Sequence, residues 1–392
     1  MLRMKVFIAV VGIYLLGGPA FAEDDFLASV RLRGGYDSNP QFGSGHGSPG
    51  SAFIATDVAL AAGSKDDSGS WGVTAEGSTT RYANPLLLPM TNGKVMLRGT
   101  TGNDELRVTS TTTLSDFNSY NLRASDLLQT VKLESLQDKV KLFVTAEGGR
   151  STLNQTNAIF EDFLPTPLSY WRGAIIPGVS VIRGKAELGV SVNLSARRYA
   201  EELDVFGYRR DNERVQPFVF AKYDADEVTA FASVSKLYGK WHDVDFSNVE
   251  RTLFDASVSW RPARWKTVTL DLNATRRAGE TTFPVSPITI DTLYSAKAGW
   301  QVDPKLLLTA AAGYASIEYL DSPFRQTTTT FGVGMSREIT KDIKWGMDLS
   351  RTTGTLINGE RANAIIVASS LTKTFAPNEA RAKAEDKAKV AK

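Results

Sequence analysis

The chain of 392 residues contains no cysteine and only two histidines. A disulfide framework, a thiolate metal site and a cysteine nucleophile are therefore excluded, and little imidazole is left for catalysis or metal binding. Nor does one charge predominate: 45 Lys+Arg face 43 Asp+Glu, so the basic excess of a nucleic-acid-coating protein is missing and no nucleic-acid partner is expected. At 42% hydrophobic and 22% charged, the sequence is not a disordered polyampholyte either.

Long apolar runs are equally scarce. Only residues 1–22 hold one, with Arg3 and Lys5 ahead of an apolar stretch from Val6 to Leu16, then Gly17, Gly18, Pro19 and Ala20-Phe21-Ala22. That order reads as a cleaved secretory signal peptide, and its core is shorter than the roughly 20 residues a spanning helix needs. The mature chain is expected to begin near Glu23. With the signal and a tail at 376–392 set aside, residues 23–375 hold 38 basic and 40 acidic groups, so the body is almost neutral.

What the sequence does have is a period of two. Over 185–197, Ala186, Leu188, Val190, Val192, Leu194 and Ala196 alternate with Glu187, Gly189, Ser191, Asn193, Ser195 and Arg197. Side chains on a strand point to opposite faces in turn, so this is a strand with one apolar and one polar face. The same alternation runs through 139–147, 254–260, 267–275 and 343–350. Amphipathic helices would instead repeat at three and four residues.

Short polar turns separate the strands, near 65–69, 102–104, 137–138, 183–184, 224–226, 261–264, 302–304 and 340–342. Between them lie longer connections rich in Asn, Gly, Pro and Ser, near 37–50, 85–92, 118–126, 152–169, 200–211, 240–248, 278–288, 319–326 and 355–361. Eight short and nine long connections predict eighteen strands, with sixteen as the lower bound. Short turns at one end and long loops at the other are expected of an all-β, transmembrane, antiparallel up-and-down barrel in the bacterial outer membrane, and an even strand count puts both termini in the periplasm.

A soluble sandwich or propeller also contains hairpins. Two features argue against it. The polar faces are mostly Thr, Ser, Gly and Asn rather than Lys and Glu. The aromatics are also sorted by height: Trp71, Trp260, Trp265, Trp300 and Trp345 fall near the short turns, and Tyr36, Tyr82, Tyr199, Tyr238 and Tyr314 near the long loops. Two such belts are expected at the two lipid interfaces, so outer-membrane lipid and lipopolysaccharide are the expected surroundings.

The last strand, 365–375, carries Ile365, Val367, Leu371 and Phe375 on one face. Its terminal aromatic resembles the carboxy-terminal signal read by the barrel-assembly machinery, an expected partner during biogenesis, except that a further 17 residues follow. Those residues, 376–392, are rich in Ala, Lys and Glu and read as a flexible periplasmic tail.

A barrel of this width is too wide for side chains to fill, so an aqueous lumen is expected. The polar faces supply its lining: Arg31, Arg33, Glu76, Arg98, Arg107, Lys132, Glu134, Glu147, Glu187, Arg197, Asp255, Asp271, Lys297, Lys344 and Asp348. Both signs are present, and cross-strand pairing competes with solute contact for each of these charges. Glu161 and Asp162, in the long connection 151–169, could fold inward as a constriction or pack over neighbouring loops outside.

No catalytic, cofactor-binding or metal site is expected. The run Gly45-His46-Gly47-Ser48-Pro49-Gly50 fits a dinucleotide pattern, yet no βαβ unit surrounds it. His242 with Asp243 and Asp245 is the only imidazole near carboxylates that could activate water.

The opening strand contains Val30-Arg31-Leu32-Arg33-Gly34-Gly35-Tyr36-Asp37-Ser38-Asn39. This run resembles the start of the putative beta-barrel porin 2 family of proteobacterial outer-membrane proteins, in which a glycine-aromatic-acid-x-Asn run ends the first strand, and the hairpin spacing extends the similarity along the barrel. Ser38, where a second acid is common, departs from the pattern, as does the basic tail. The resemblance implies a porin-like channel for small hydrophilic solutes, with some relatives resembling exopolysaccharide exporters, and it carries no catalytic residues.

The competing readings are a non-conducting structural or adhesion barrel with functional loops and, as a minor alternative, an outer-membrane hydrolase. The last depends on His242. Replacement His242→Ala is expected to leave single-channel conductance unchanged; loss of a hydrolytic activity in that variant would instead establish an enzyme.

Overall fold

The computed structural model describes residues 25–42, 49–66, 68–103, 105–119, 122–155, 168–204, 206–265, 267–283 and 286–375. The expected signal peptide, Glu161, Asp162 and the tail at 376–392 lie outside the described residues.

Eighteen strands follow one another along the chain. The first six are β1 (Asp25–Asp37), β2 (Ser51–Lys65), β3 (Gly69–Tyr82), β4 (Met90–Gly102), β5 (Leu106–Ser119) and β6 (Leu122–Gln137). Next come β7 (Val140–Gln155), β8 (Leu168–Arg183), β9 (Ala186–Tyr199), β10 (Asn212–Asp224), β11 (Val228–Trp241) and β12 (Val249–Trp260). The last are β13 (Val268–Gly279), β14 (Thr289–Asp303), β15 (Leu306–Tyr319), β16 (Arg325–Thr340), β17 (Ile343–Thr355) and β18 (Arg361–Phe375). Each pairs antiparallel with its neighbours in sequence, and β1 pairs with β18, so the sheet closes on itself. The only helical turn among the described residues is 3₁₀, at Ala263–Trp265, and no helix is long and apolar enough to cross a membrane.

Closure explains how a sheet can stand in lipid. Every backbone N–H and C=O in hydrocarbon needs a partner, and a closed ladder supplies one without leaving an edge. The register then sorts the side chains. Phe26, Leu32 and Tyr36 on β1, Ile54 and Val58 on β2, and Leu188, Val190 and Leu194 on β9 point outward, with Ile54 69% and Leu188 64% exposed. An apolar outer band of this extent is what lipid requires and water penalises.

Two prolines interrupt the ladder inside strands, a position normally confined to edges. Pairing between β8 and β9 skips from Ile175 to Gly178, and Ser191 donates its hydroxyl to the Pro177 carbonyl at 2.6 Å. Between β10 and β11 the skip falls at Gln216 and Pro217, where the Gln216 amide donates to Ser235 Oγ at 2.8 Å. A side-chain hydrogen bond thus accompanies each gap in the ladder.

The structure corrects two expectations. The long connection expected at 118–126 is two residues, 120–121, because β5 and β6 stay paired to Ser119 and Leu122. The polar residues there are strand residues: Ser125 donates to Asp116 at 2.6 Å, and Asp126 accepts from Ser151 at 2.5 Å and Arg172 at 2.6 Å. Tyr82 and Tyr199 also leave the expected outer belt, since their register positions share the inner face with Phe53 and Tyr170. One step of register moves a side chain from lipid to lumen.

At the β1–β18 seam, Gly35 lies where an added Cβ would fall 2.2 Å from the Val367 carbonyl oxygen and 2.9 Å from the Ala368 Cα. The adjacent Gly34 has its nearest atom 4.0 Å away. Gly35→Ala is therefore expected to destabilise the barrel by about 1–3 kcal/mol, and Gly34→Ala to have little effect, in equilibrium unfolding from lipid vesicles. Equal midpoints for the two variants would contradict this account of the seam.

Candidate functional site

The face opposite the apolar band encloses the lumen, and the register assigns residues to it strand by strand. Arg31 and Arg33 on β1 alternate with the outward Val30 and Leu32, and Glu76 on β3 is set directly across from Lys94 on β4. Arg98, Arg107, Lys132, Glu134, Glu147, Glu187, Arg197, Asp255, Asp271, Lys297, Lys344 and Asp348 occupy the same inward parity on their strands.

Several of these charges find opposite charges. Arg31 meets Asp348 at 2.9 Å across the seam, and Arg33 meets Asp57 at 2.9 Å. Lys132 meets Glu134 at 2.7 Å, and Lys141 bridges Glu187 at 2.6 Å and Glu134 at 4.0 Å. Asp271 accepts a hydrogen bond from Ser259 at 2.7 Å. By contrast, Glu76, Arg98, Glu147, Asp255, Lys297 and Lys344 form no ion pair among the described residues.

The long-loop end is partly filled from within. Ladder pairing between β12 and β13 covers only 254–260 with 270–276, so residues 249–253 of β12 have no β13 partner. Beyond that point the β13–β14 hairpin crosses the inside of the wall. Ile288 and Ile290 pack against Leu237, Trp241, Val249 and Leu253, together with Phe246 and Leu320. Leu237, Trp241 and Leu253 carry inward parity on β11 and β12, so the hairpin lies on the lumen side of those strands.

Its tip is fixed by two charged anchors. The Glu280 carboxylate accepts from Arg197 Nε at 3.0 Å, from Arg214 at 2.7 Å and from the Tyr199 hydroxyl at 3.1 Å, all side chains of β9 and β10. Arg210 pairs with Asp204 at 2.7 Å and donates to the carbonyls of Thr281 at 3.0 Å, Ser286 at 3.2 Å and Phe283 at 2.9 Å. Its side chain is 2% exposed. The guanidinium therefore supplies donors to three buried loop carbonyls, of which that of Phe283 also accepts from the Ser286 N–H at 3.4 Å.

Two smaller clusters complete the mouth. Phe283 packs against Tyr319 and Ile357, with Ile317 and Phe324 beside them. Phe42 packs on Leu356, Ala362 and Ala364 at the tops of β17 and β18. A sequence signal for this segment exists in retrospect: Arg197, Arg210 and Arg214 crowd one stretch, and Glu280 follows β13 immediately. Arg197 was expected to line the lumen but its charge is taken up by Glu280, whose role the alternation pattern did not reveal.

The five tryptophans of the lower belt all lie toward the short turns. Trp71 and Trp300 are exposed on the outer wall, and Trp345 donates its indole N–H to Ser369 at 2.9 Å. Trp260 and Trp265 meet edge to face, 6.3 Å between centroids. His242 contacts a carboxylate at 2.9 Å, but that of Glu213 rather than Asp243 or Asp245, and Glu213 is shared with Arg198. Among the described residues no cluster of His, Asp or Glu could hold a metal ion.

This is the architecture of a transmembrane β-barrel with a polar interior. The family described as Putative beta-barrel porin 2 matches residues 183–365, so the chain is a porin-like barrel of the bacterial outer membrane, and the run at 30–39 lies outside the matched stretch. Among solved structures, OccAB3 of Acinetobacter baumannii is 10% identical, covering 91% of this chain and 100% of that one, with a TM-score of 0.46. The outer membrane protein opdK from Pseudomonas aeruginosa is 11% identical, covering 90% and 99%, with a TM-score of 0.46. OccK2 (OpdF) from the same organism is 8% identical, covering 90% and 98%, with a TM-score of 0.47. No curated protein matches the sequence.

Burial pushes the Glu280 carboxyl up, but the Arg214 and Arg197 charges and the hydrogen bonds from Tyr199 and Arg214 more than offset it, holding the group below the usual carboxylate range. Such a group stabilises the docked segment fully above its unfolded pKa, and the stabilisation is lost as pH falls through the lower, folded value. The docked segment is thus expected to persist at neutral pH and to release under acid. Glu280→Gln, which leaves buried guanidinium groups unmatched, should cost the docking about 3–5 kcal/mol and raise conductance already at pH 7. Identical current in wild type and variant across the acid range would show that the segment does not narrow the path.

Proposed function

We propose that this barrel is a diffusion channel for hydrophilic solutes, oriented with its short turns and both termini in the periplasm and its long loops outside. One observation carries the reading. Residues 280–283 and 286–288 occupy the lumen side of the mouth at β9–β12, while inner-face charges of both signs that form no ion pair among the described residues, Glu76, Arg98, Glu147, Asp255, Lys297 and Lys344, remain for solute along the wall. A lumen meant only to be sealed would not need unpaired charge, because burying it without a partner is costly.

With acids and bases both in place, the path is expected to select weakly between small anions and cations and to act on polar solutes through crossed fields. Glu161 and Asp162, in the connection between β7 and β8, are proposed as a second narrowing. A polysaccharide in transit is the narrower reading that the family resemblance implies, and lipopolysaccharide and the barrel-assembly machinery are the proposed partners at the outer wall and during insertion.

Planar-bilayer recording of the refolded full chain tests this. Stable steps of ohmic conductance are expected, and an acidic or neutral polysaccharide that passes should block them reversibly. A folded barrel that stays silent would sink the channel reading in favour of a structural or adhesion barrel.

A further inference from the structure

On the outer wall, β14 and β15 present alanines where the flanking strands present large side chains. The register aligns Leu270, Ala298, Ala310, Val333 and Leu349 in one row, and Leu272, Ala296, Ala312, Phe331 and Arg351 in the next. The result is a groove of about 520 Å³ floored by four alanine methyls and walled by Leu270, Phe331, Val333 and Leu349. Arg351 is the one charged residue in its lining.

The two ends of the groove differ in chemistry. Toward the short turns it is bounded by the outward Trp300 and Leu308, which are register partners. Toward the long loops stand Tyr294 and Tyr314, stacked with 6.2 Å between centroids. Arg325 reaches down to this level, donating to Ser316 Oγ at 2.9 Å and to the Tyr314 hydroxyl at 3.5 Å. Arg351 reaches up to it, its Nε donating to Asn363 Oδ1 at 3.2 Å. Neither arginine pairs with a carboxylate among the described residues, whereas nearby Arg276 has Glu318 at 3.8 Å.

An apolar depression facing hydrocarbon loses dispersion contacts unless something fills it. Glu318 is the register partner of Arg325 but is engaged by Arg276. Arg351 has no carboxylate partner among the described residues, so the upper end calls for an anion, and phosphate is the group a forked guanidinium fits best. We propose that the groove binds the lipid A part of lipopolysaccharide, an acyl chain lying on the alanine floor and a phosphate held by Arg351 with Arg325 nearby. The polarity of the groove, cationic above and apolar below, is that of a single outer-leaflet amphiphile. This assignment rests on the orientation proposed above, with the long loops facing outward.

Native mass spectrometry of the folded full chain, with either deep-rough lipopolysaccharide or phosphatidylglycerol added, tests it. The wild type is expected to retain one lipopolysaccharide. Arg351→Gln, which removes the charge, and Ala310→Leu, which fills the floor, should each reduce that occupancy about tenfold while gel mobility of the folded barrel and conductance stay unchanged. Retention of phosphatidylglycerol in preference to lipopolysaccharide, equal occupancy in the variants, or a dimer that Ala310→Leu abolishes would each overturn the proposal. Because binding is read as mass and not as current, a silent barrel that still retains lipopolysaccharide separates this site from the channel reading.

Discussion

Backbone polar groups in hydrocarbon must be paired, and the rest of this molecule follows from how eighteen strands meet that demand. Once the ladder is closed, each strand position has only two destinations, lipid or lumen, and a two-residue alternation of apolar and polar side chains decides between them. Stability, surroundings and pore chemistry are therefore set by a single register. The Gly35 position at the seam shows how little slack that register allows, since one methyl there would meet the neighbouring backbone.

The apolar packing common in soluble proteins has been displaced rather than lost. The clusters of buried hydrophobic residues gather at the long-loop end, where Phe42, Phe283, Ile288 and Leu356 tie loops to the inner wall and Phe53 packs strand against strand. Between there and the short turns the wall is one side chain thick on each face. Glu280 and Arg210 then act as staples: each replaces water-facing loop ends with charge-assisted bonds inside the mouth. Burying these pairs costs desolvation, and once they are buried the loss of either partner leaves an uncompensated charge inside the mouth.

Most of the architecture was legible because it rests on local alternation. Strands such as the one through Leu188, Val190 and Val192 announce their two faces in sequence, and the turns between hairpins carry Asp, Asn, Gly and Pro. What was not legible depends on contacts between residues far apart. Glu280 meets Arg197 across 83 positions and Arg214 across 66, and no periodicity links them. Tyr82 and Tyr199 were misassigned because their height was readable but their parity at the strand's end was not. The stretch around Asp116 and Ser125 looked like a loop because it is polar, yet a strand that projects beyond the lipid is polar for the same reason as a loop: it meets water.

The parting of β12 from β13 has a mechanical meaning. Apart from the short gaps at Pro177 and Pro217, the rest of the wall is a continuous ladder, whose bonds in lipid have no water to exchange with. Along residues 249–253 it is held by Leu237, Leu253, Ile288 and Ile290 pressing against each other. Packed side chains slide at a cost far below that of breaking a ladder. The rim is therefore stiff around most of its circumference and compliant along one line, and any strain imposed on the mouth, by a bulky solute or by tension in the surrounding leaflet, is gathered at that line.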